Sequence, residues 1–255
     1  MYKLTSENKF IDVSDYGRPI ANFIAKKLKS TKVSAIHITL LFGLSGLIAI
    51  YCIATTHYWA AGFFLILKSI LDAVDGQLAR AKSQPSFTGR YLDSIFDSLL
   101  NLLLCLTFSW YTNSSIGWGL LAFICIQTQG TVYNYYYVIL RHSTEGEITS
   151  QIFETFVPVA YTDEKQQTVN FLFKVYRILY RTFDSLIYKL DPIASKSPIL
   201  PKWFMTLVSF YGLGFQLLIM VVLLAAGWIH YIIPFFIAYS IFIPCIIAIR
   251  RIFLK

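Results

Sequence analysis

The sequence predicts an all-α, polytopic membrane protein with about six transmembrane helices, and three observations lead to this prediction. Hydrophobic residues make up 56% of the 255-residue chain and charged residues only 14%, whereas a soluble domain carries about 25% charged residues. The apolar residues form runs of about 20, the length at which a helix crosses the hydrocarbon core. Lysine and arginine are absent from 33–67, 91–140 and 203–249 and gather between these stretches.

The placement of the basic residues predicts the orientation in the membrane. The net charge is +8, but the basic residues flank the apolar runs and do not form a nucleic-acid-binding stripe. Cytoplasmic loops carry an excess of lysine and arginine. We therefore expect both termini and the segment 72–97 to face the cytoplasm, and no nucleic-acid partner.

Two further features of composition narrow the class. The first 30 residues are polar and basic and lack the apolar core of a cleavable signal peptide. The four cysteines all lie in apolar runs without the spacing of a metal knuckle. We interpret them as small buried apolar side chains.

The first predicted element is an amphipathic helix within residues 1–34. Ile20, Phe23, Ile24 and Leu28 recur at helical spacing and are opposed by three lysines. Such a helix is typical of a juxtamembrane segment that lies on an anionic lipid surface. A solvated basic linker is the alternative interpretation.

Six apolar segments follow and are predicted to span the membrane. They cover about 35–55, 59–81, 88–110, 118–140, 203–226 and 229–249. A polar turn joins the second and third segments, and Thr88 is the predicted N-cap of the third helix. The chain thus divides into an N-terminal segment 1–34, a unit 35–141 with the first four spans, a cytoplasmic insertion 142–202, and a unit 203–255 with the last two spans and a basic tail.

The insertion 142–202 interrupts the apolar pattern. Apolar residues at helical spacing, with basic residues between them, predict an amphipathic helix over about 165–190 that lies against the membrane or against the face that carries the segment 72–97. The acidic residues of the insertion are interpreted as solvated. They include Glu145, Glu147, Glu154, Asp163 and Glu164.

Four carboxylates stand at the ends of the second and third predicted spans. Asp72 and Asp75 are spaced i,i+3, and Asp93 and Asp97 are spaced i,i+4, so each pair shares one face of its helix. Crowded carboxylates in an apolar stretch repel one another unless a cation compensates them. Hard divalent metal ions prefer such oxygen ligands. Arg80 adds a guanidinium suited to phosphate.

These residues form a longer pattern with fixed spacing, D-x2-D-G-x2-A-R-x8-G-x3-D-x3-D. The matching positions are Asp72, Asp75, Gly76, Ala79, Arg80, Gly89, Asp93 and Asp97. The pattern resembles the signature of the CDP-alcohol phosphatidyltransferases, integral membrane enzymes of phospholipid synthesis. The hydropathy of the whole chain is similar to that of this family.

The resemblance implies the following chemistry. Asp72, Asp75 and Asp93 hold two divalent ions, Mg²⁺ or Mn²⁺, with Asp97 at the edge of the metal site. Asp97 is also the expected general base, which deprotonates the acceptor hydroxyl. The donor is a CDP-linked lipid or CDP-alcohol, the acceptor is an alcohol or diacylglycerol, and CMP is released. The resemblance also implies a homodimer in contact with membrane lipids.

The resemblance further implies the residues that bind the nucleotide and pyrophosphate. They are Gly76, Ala79, Arg80, Ser86, Gly89 and Thr39. Ser34 and Thr39 match the segment that helps bind the nucleotide in the family, but Ala35 and Ile36 stand where proline and asparagine are expected. Ser86 has a second interpretation as a turn residue, and Lys68 is expected to pair with Asp72 or to contact substrate.

The acceptor is predicted from the polar residues of the fourth span. Spans four to six contain no basic side chain internally, and Arg141 stands only at the end of span four. We therefore expect a neutral or amino alcohol as acceptor, or transfer of phospho-choline or phospho-ethanolamine onto diacylglycerol. Asn134 and Tyr135 are the expected acceptor-binding residues, since tyrosine rings bind cationic head groups.

Three other interpretations of the aspartates remain open at this point. A membrane prenyltransferase also binds a diphosphate through aspartates and magnesium, but its motifs lack the Gly-x-x-Ala-Arg sequence. A divalent-cation transporter is a second alternative, although such proteins tend to place carboxylates at mid-membrane and to show repeats. A purely structural network of ion pairs would not require glycine and alanine at these positions.

Overall fold

The computed structural model describes residues 8–143, 151, 153–196 and 200–253, and within these residues it is helical without strands. The first helices are α1 Arg18–Leu28, α2 Ala35–Ala54, α3 Tyr58–Ala81, α4 Phe87–Tyr111 and α5 Ile116–Ser143. They are followed by α6 Gln166–Leu190, α7 Lys202–Ser209, α8 Leu213–Ala225, α9 Ile232–Tyr239 and α10 Ile243–Phe253. Short 3₁₀ turns cover Val13–Asp15, Ile229–Tyr231 and Ser240–Phe242. The all-α prediction is confirmed.

Three helical segments of the described chain are long and apolar enough to cross a membrane, and a bent pair provides a fourth. The three are α2, α4 and the continuous segment Ile229–Phe253, and the bent pair is α7 with α8, at 45°. The helices α3 and α5 have 24 and 28 residues, which corresponds to about 36 and 42 Å at 1.5 Å per residue. Both helices contain polar residues, which lower their mean hydropathy, and neither is among the segments apolar enough to count as a span. The total of six spans therefore stays a prediction.

Close packing of α2 against α4 helps to fix the position of the hairpin of α3 and α4. A Cβ at Gly43 would lie 2.7 Å from the ring of Phe96, and one at Gly46 would lie 2.6 Å from Leu100. Small residues at these two positions let the helices approach closely, as is common between membrane helices.

The turn between α3 and α4 joins the two halves of the acidic motif. Ser83 has a positive φ of 53°, and α4 begins after Ser86, whose Oγ accepts a hydrogen bond from the backbone N–H of Gly89 at 2.8 Å. The prediction of Thr88 as the N-cap is wrong, because Thr88 already lies in the first helical turn while Ser86 has the extended conformation of a cap.

The C-terminal half is held by a buried ion pair. Arg250 on α10 donates to Asp191, with Nε at 2.6 Å from Oδ2, and both side chains are almost fully buried. Tyr136 on α5 donates to the same carboxylate at 2.8 Å. These bonds tie α5 and α10 to the segment that follows α6.

The N-terminal helix α1 packs on α3 and leaves two of its large apolar side chains on the surface. Ala21 and Ala25 are buried, and Ile24 lies at the edge of their cluster. Ile20 and Phe23 are exposed. The small side chains face the protein because α1 approaches α3 closely, and the two large ones remain on the surface.

The amphipathic helix of the insertion is present as α6. It packs against α4 and α5, with Val169, Phe173 and Ile187 buried. Phe171 and Ile178 are exposed on the other side. The insertion therefore directly contacts α4, the helix that carries Asp93 and Asp97.

Candidate active site

Three carboxylates converge at the hairpin of α3 and α4. Asp72 and Asp75 on α3 and Asp93 on α4 have ligand oxygens within 4.8 Å of one another. The Oδ1 atom of Asp93 is buried and has no hydrogen-bond partner in the described part of the chain. Three acidic side chains with a buried unpaired oxygen fit the ligand set of a hard divalent cation.

Thr39 of α2 orients one of these carboxylates. Its Oγ1 donates a hydrogen bond to Oδ2 of Asp75 at 2.7 Å, and both side chains are buried. A partner behind a metal-binding carboxylate fixes its orientation. Thr39 is thus placed behind the acidic group as well as in the wall of the cavity described below.

Asp97 is not one of the three converging carboxylates and has its own partner. The Nζ of Lys68 donates to Oδ1 of Asp97 at 2.6 Å, and the side chains are 0% and 17% exposed. The ammonium also lies 5.0 Å from the centre of the Phe42 ring. The structure therefore pairs Lys68 with Asp97, whereas the sequence suggested Asp72 as its partner.

Gly76 makes room for the guanidinium of Arg80. A Cβ on Gly76 would lie 3.3 Å from a terminal nitrogen of Arg80, one helical turn further on. The absence of a side chain lets the guanidinium lie flat against α3 beside the acidic group. Both residues line the same cavity, together with Ala79 and Gly89.

The first turn of α4 binds a carboxylate from the insertion. Glu164 accepts hydrogen bonds from Ser86 Oγ at 2.8 Å, from the Thr88 N–H at 2.6 Å and from the Phe87 N–H at 3.2 Å. Free amides at a helix N-terminus attract negative charge. Burial alone would raise the pKa of Glu164, but the hydrogen bonds from α4 lower it below its ordinary value.

A second acidic residue of the insertion binds the same helix. Glu154 forms an ion pair with Arg90 and accepts a hydrogen bond from the Tyr91 hydroxyl at 2.6 Å. The interpretation of these two glutamates as solvated is wrong, because long-range packing places both against α4. Asp163 is exposed as expected, and Glu145 and Glu147 lie outside the described residues.

A cavity of about 380 Å³ joins these groups. Its wall contains motif residues, which include Asp72, Asp75, Gly76, Arg80, Ser86, Gly89 and Asp93. The wall also contains Asn134, Tyr133, Tyr137 and Arg141 of α5 and Ser14 and Asp15 near the N-terminus. Among the described lining residues Asp97 does not occur.

The two predicted acceptor residues have different surroundings. Asn134 lines the cavity. Tyr135 is buried in the core and its hydroxyl donates to the backbone carbonyl of Asp191 at 2.7 Å. Adjacent residues on a helix point about 100° apart, so only one of the two faces the cavity, and Tyr135 has a structural contact instead.

Arg141 is a residue of the cavity wall that the sequence prediction missed. Helix α5 continues to Ser143, past the predicted end of the span at 140, and Arg141 is only 6% exposed. Asn134, Tyr137 and Arg141 are spaced i, i+3 and i+7, which places them on one helix face. This spacing is a signal from which the position of Arg141 was predictable.

The N-terminal turn Val13–Asp15 contributes Ser14 and Asp15 to the cavity wall. Tyr133 donates from its hydroxyl to Asp12 at 2.7 Å, and the backbone N–H of Val13 donates to Ser209 at 3.1 Å. No local sequence signal indicates these contacts, because they join residues far apart in the chain.

Comparison with known proteins agrees with this site. The family model described as CDP-alcohol phosphatidyltransferase matches residues 32–187, which is more than half of the chain and includes the whole acidic hairpin. No curated protein matches the sequence. The apolar helices and the family match together identify an integral membrane protein. The chain belongs to the CDP-alcohol phosphatidyltransferase family of transferases, which move a phosphatidyl group from a CDP-linked donor to an alcohol.

Proposed function

We propose that this protein is a metal-dependent phosphotransferase of phospholipid biosynthesis that uses a CDP-linked donor and releases CMP. The observation that carries the proposal is the convergence of Asp72, Asp75 and Asp93 in a cavity that also contains Arg80. Such a site suits a diphosphate, because carboxylates bind its metal ions and a guanidinium binds its oxygens directly.

Asp72, Asp75 and Asp93 would hold the divalent ions, Mg²⁺ or Mn²⁺. When bound, these ions neutralise the negative charge that develops on the departing CMP phosphate. Thr39 keeps Asp75 in a fixed orientation. Gly76, Ala79, Arg80 and Gly89 would contact the nucleotide and pyrophosphate.

Asp97 is the proposed general base. It would take the proton of the acceptor hydroxyl while the acceptor oxygen bonds to the phosphorus not attached to cytidine, and the bond from that phosphorus to the CMP oxygen breaks. Lys68 binds one of the two carboxylate oxygens, Oδ1, and the other oxygen is the proposed proton acceptor.

The part of the cavity wall formed by α5 would bind the acceptor. Asn134 and Arg141 lie on one face of α5 in this wall. A buried guanidinium favours a hydroxyl compound that carries a carboxylate or phosphate group. This acceptor class differs from the neutral or amino alcohol expected from sequence, and the difference comes from the inward position of Arg141.

The proposal is tested by CMP release from the purified protein in detergent with Mg²⁺ or Mn²⁺. CDP-diacylglycerol is combined with hydroxyl acceptors that are anionic, neutral or cationic, and CDP-choline or CDP-ethanolamine with diacylglycerol. We expect metal-dependent CMP release with one pairing and none from Asp97→Asn. If no CDP compound bound in the presence of metal, the phosphotransferase proposal would be wrong and cation transport would become the better explanation.

Arg141→Gln tests the proposed role of Arg141 in binding the acceptor. We expect the Michaelis constant for an anionic acceptor to rise by about tenfold or more, since a hydrogen bond to a charged group is lost. The donor constant should stay unchanged. Arg181→Gln, an exposed arginine on α6, is the matched control. Equal effects of the two variants would contradict this assignment.

A further inference from the structure

Residues 153–165, in the described part of the chain before α6, contribute to the cavity wall near the first turn of α4. Tyr161 lines the cavity, and its ring stacks on that of Phe87 with centroids 4.9 Å apart and planes 13° apart. Phe87 lines the cavity as well. Tyr161 remains 37% exposed, so one face of its ring is covered by Phe87 and the rest is open toward the cavity and solvent.

Two anchors hold this segment, residues 153–165, on α4. At one end Glu154 binds Arg90 and Tyr91, and at the other Glu164 binds the first turn of the helix. Glu164 also forms two hydrogen bonds with the backbone of Tyr161. Its carboxylate accepts from the Tyr161 N–H at 3.3 Å, and its backbone N–H donates to the Tyr161 carbonyl at 2.9 Å. The position of the Tyr161 ring therefore depends directly on the Glu164 carboxylate.

The aromatic pair lies at a suitable distance from the acidic group for one end of a nucleotide. Phe87 precedes Asp93 by six residues on α4, which is about 9 Å along the helix axis. Gly89 and Arg90, which lie between these two residues in the chain, also line the cavity. A donor whose diphosphate lies at Asp93 can place its flat base against the aromatic pair of Phe87 and Tyr161.

We propose that Tyr161 positions the cytosine base of the CDP-linked donor and that Glu164 is a positioning residue that holds Tyr161 in place. This inference rests on the proposed function, because it assigns the ligand as the nucleotide part of the donor. Tyr161 contacts the base by stacking, and Glu164 acts through Tyr161. The segment that connects α5 and α6 thus completes the donor site.

Equilibrium binding of CDP to the full chain in detergent with Mn²⁺ tests the role of Tyr161. We expect Tyr161→Ala to weaken CDP binding about tenfold, the usual order for a lost base stack. Tyr161→Phe should bind within about twofold of the native protein, because its ring can still stack. Inorganic pyrophosphate, which has no base, should bind equally to all three proteins.

The role of Glu164 is tested by Glu164→Gln against Asp163→Asn, a neighbouring exposed carboxylate. We expect Glu164→Gln to weaken CDP binding severalfold and Asp163→Asn to leave it unchanged. In a double-mutant cycle, Tyr161→Ala with Glu164→Gln should be no weaker than Tyr161→Ala alone. Additive losses would overturn the positioning role of Glu164.

The outcomes separate this inference from the proposed function. If the native protein bound CDP and Tyr161→Ala bound it equally well, only the present inference would be wrong. If Tyr161→Ala weakened CDP and pyrophosphate by the same factor, Tyr161 would have a structural role and the inference would again be wrong. A native protein that failed to bind CDP would overturn both. Melting temperatures of the variants in detergent show whether each is folded.

Discussion

At the scale of single residues, Lys68 determines how the four motif aspartates divide. Its buried ammonium forms an ion pair with Asp97, while Asp72, Asp75 and Asp93 converge on one another. The pair compensates one of the four carboxylates internally, and the other three form a concentrated negative site that a divalent cation would compensate.

Replacing Lys68 should destabilise the protein and abolish turnover. In Lys68→Met the Asp97 carboxylate loses its partner, and breaking a buried pair costs about 3 kcal/mol. We expect a lower melting temperature in detergent, with Lys26→Met, on the exposed face of α1, as the control. Lys68→Met with Asp97→Leu should recover stability without recovering activity. An unchanged melting temperature for Lys68→Met would mean that the ion pair contributes no stability.

The raised pKa of Asp184 on α6 leads us to expect that stability depends on pH. Burial, and then the charge of Glu154, raise the pKa of Asp184 from 3.8 to about 7. Tyr176 also faces this group, and Arg90 binds the other side of Glu154. Between pH 3.8 and about pH 7 the folded protein keeps the proton on Asp184, whereas the unfolded chain has lost it. The free energy of unfolding therefore falls as pH rises through this range.

Asp184→Asn removes this dependence. At pH 8 we expect the variant to melt at a higher temperature than the native protein, and near pH 4 the difference should disappear. Asp163→Asn is the control, because that carboxylate is exposed. The measurement is the melting temperature in detergent across this pH range. A constant difference between variant and native protein at all pH values would contradict the assignment to Asp184.

At the scale of elements, the contact between the N-terminal turn and α8 shapes part of the cavity wall. Gly212 and Gly214, at the start of α8, lie against Ser14, and a Cβ at Gly214 would overlap the carbonyl oxygen of Ser14. Because that atom belongs to the backbone, it cannot move aside by a change of rotamer. The turn Val13–Asp15 therefore depends on a glycine at 214.

Gly214→Ala should displace the N-terminal turn. We expect a loss of about 1–3 kcal/mol of stability, the usual cost of overpacking, and a higher Michaelis constant for the acceptor. The matched control is Gly130→Ala on α5, where a Cβ would meet no atom within 4 Å. That variant should be neutral or gain up to about 1 kcal/mol from its better helix propensity. Equal melting temperatures for the two variants would contradict the packing argument.

At the scale of the whole molecule, the charge distribution and the helices together predict orientation. The described chain has three apolar spans, or four with the bent pair, and α3 and α5 are long enough to add two more. With six spans both termini lie on one side, and the basic residues indicate the cytoplasm.

Fusions to a fluorescent protein that folds only in the cytoplasm test this orientation. We expect fluorescence from fusions at both termini and none from an insertion at 113–115, between α4 and α5. One dark terminus would show an odd number of spans and would contradict the predicted topology.

The sequence by itself determined the helical membrane architecture, the acidic hairpin and the family. These features depend on local patterns, namely apolar runs of spanning length and carboxylates at fixed helical spacing, which survive any arrangement of the remaining helices. Arg141 shares this local character, since its helical spacing from Asn134 is readable in the sequence. Only the tertiary structure decided three contacts: Lys68 pairs with Asp97, Glu154 and Glu164 bind α4, and the N-terminal turn lies in the cavity wall. Each of these contacts joins residues that are distant in the chain, and only the packing of the helices brings such residues together.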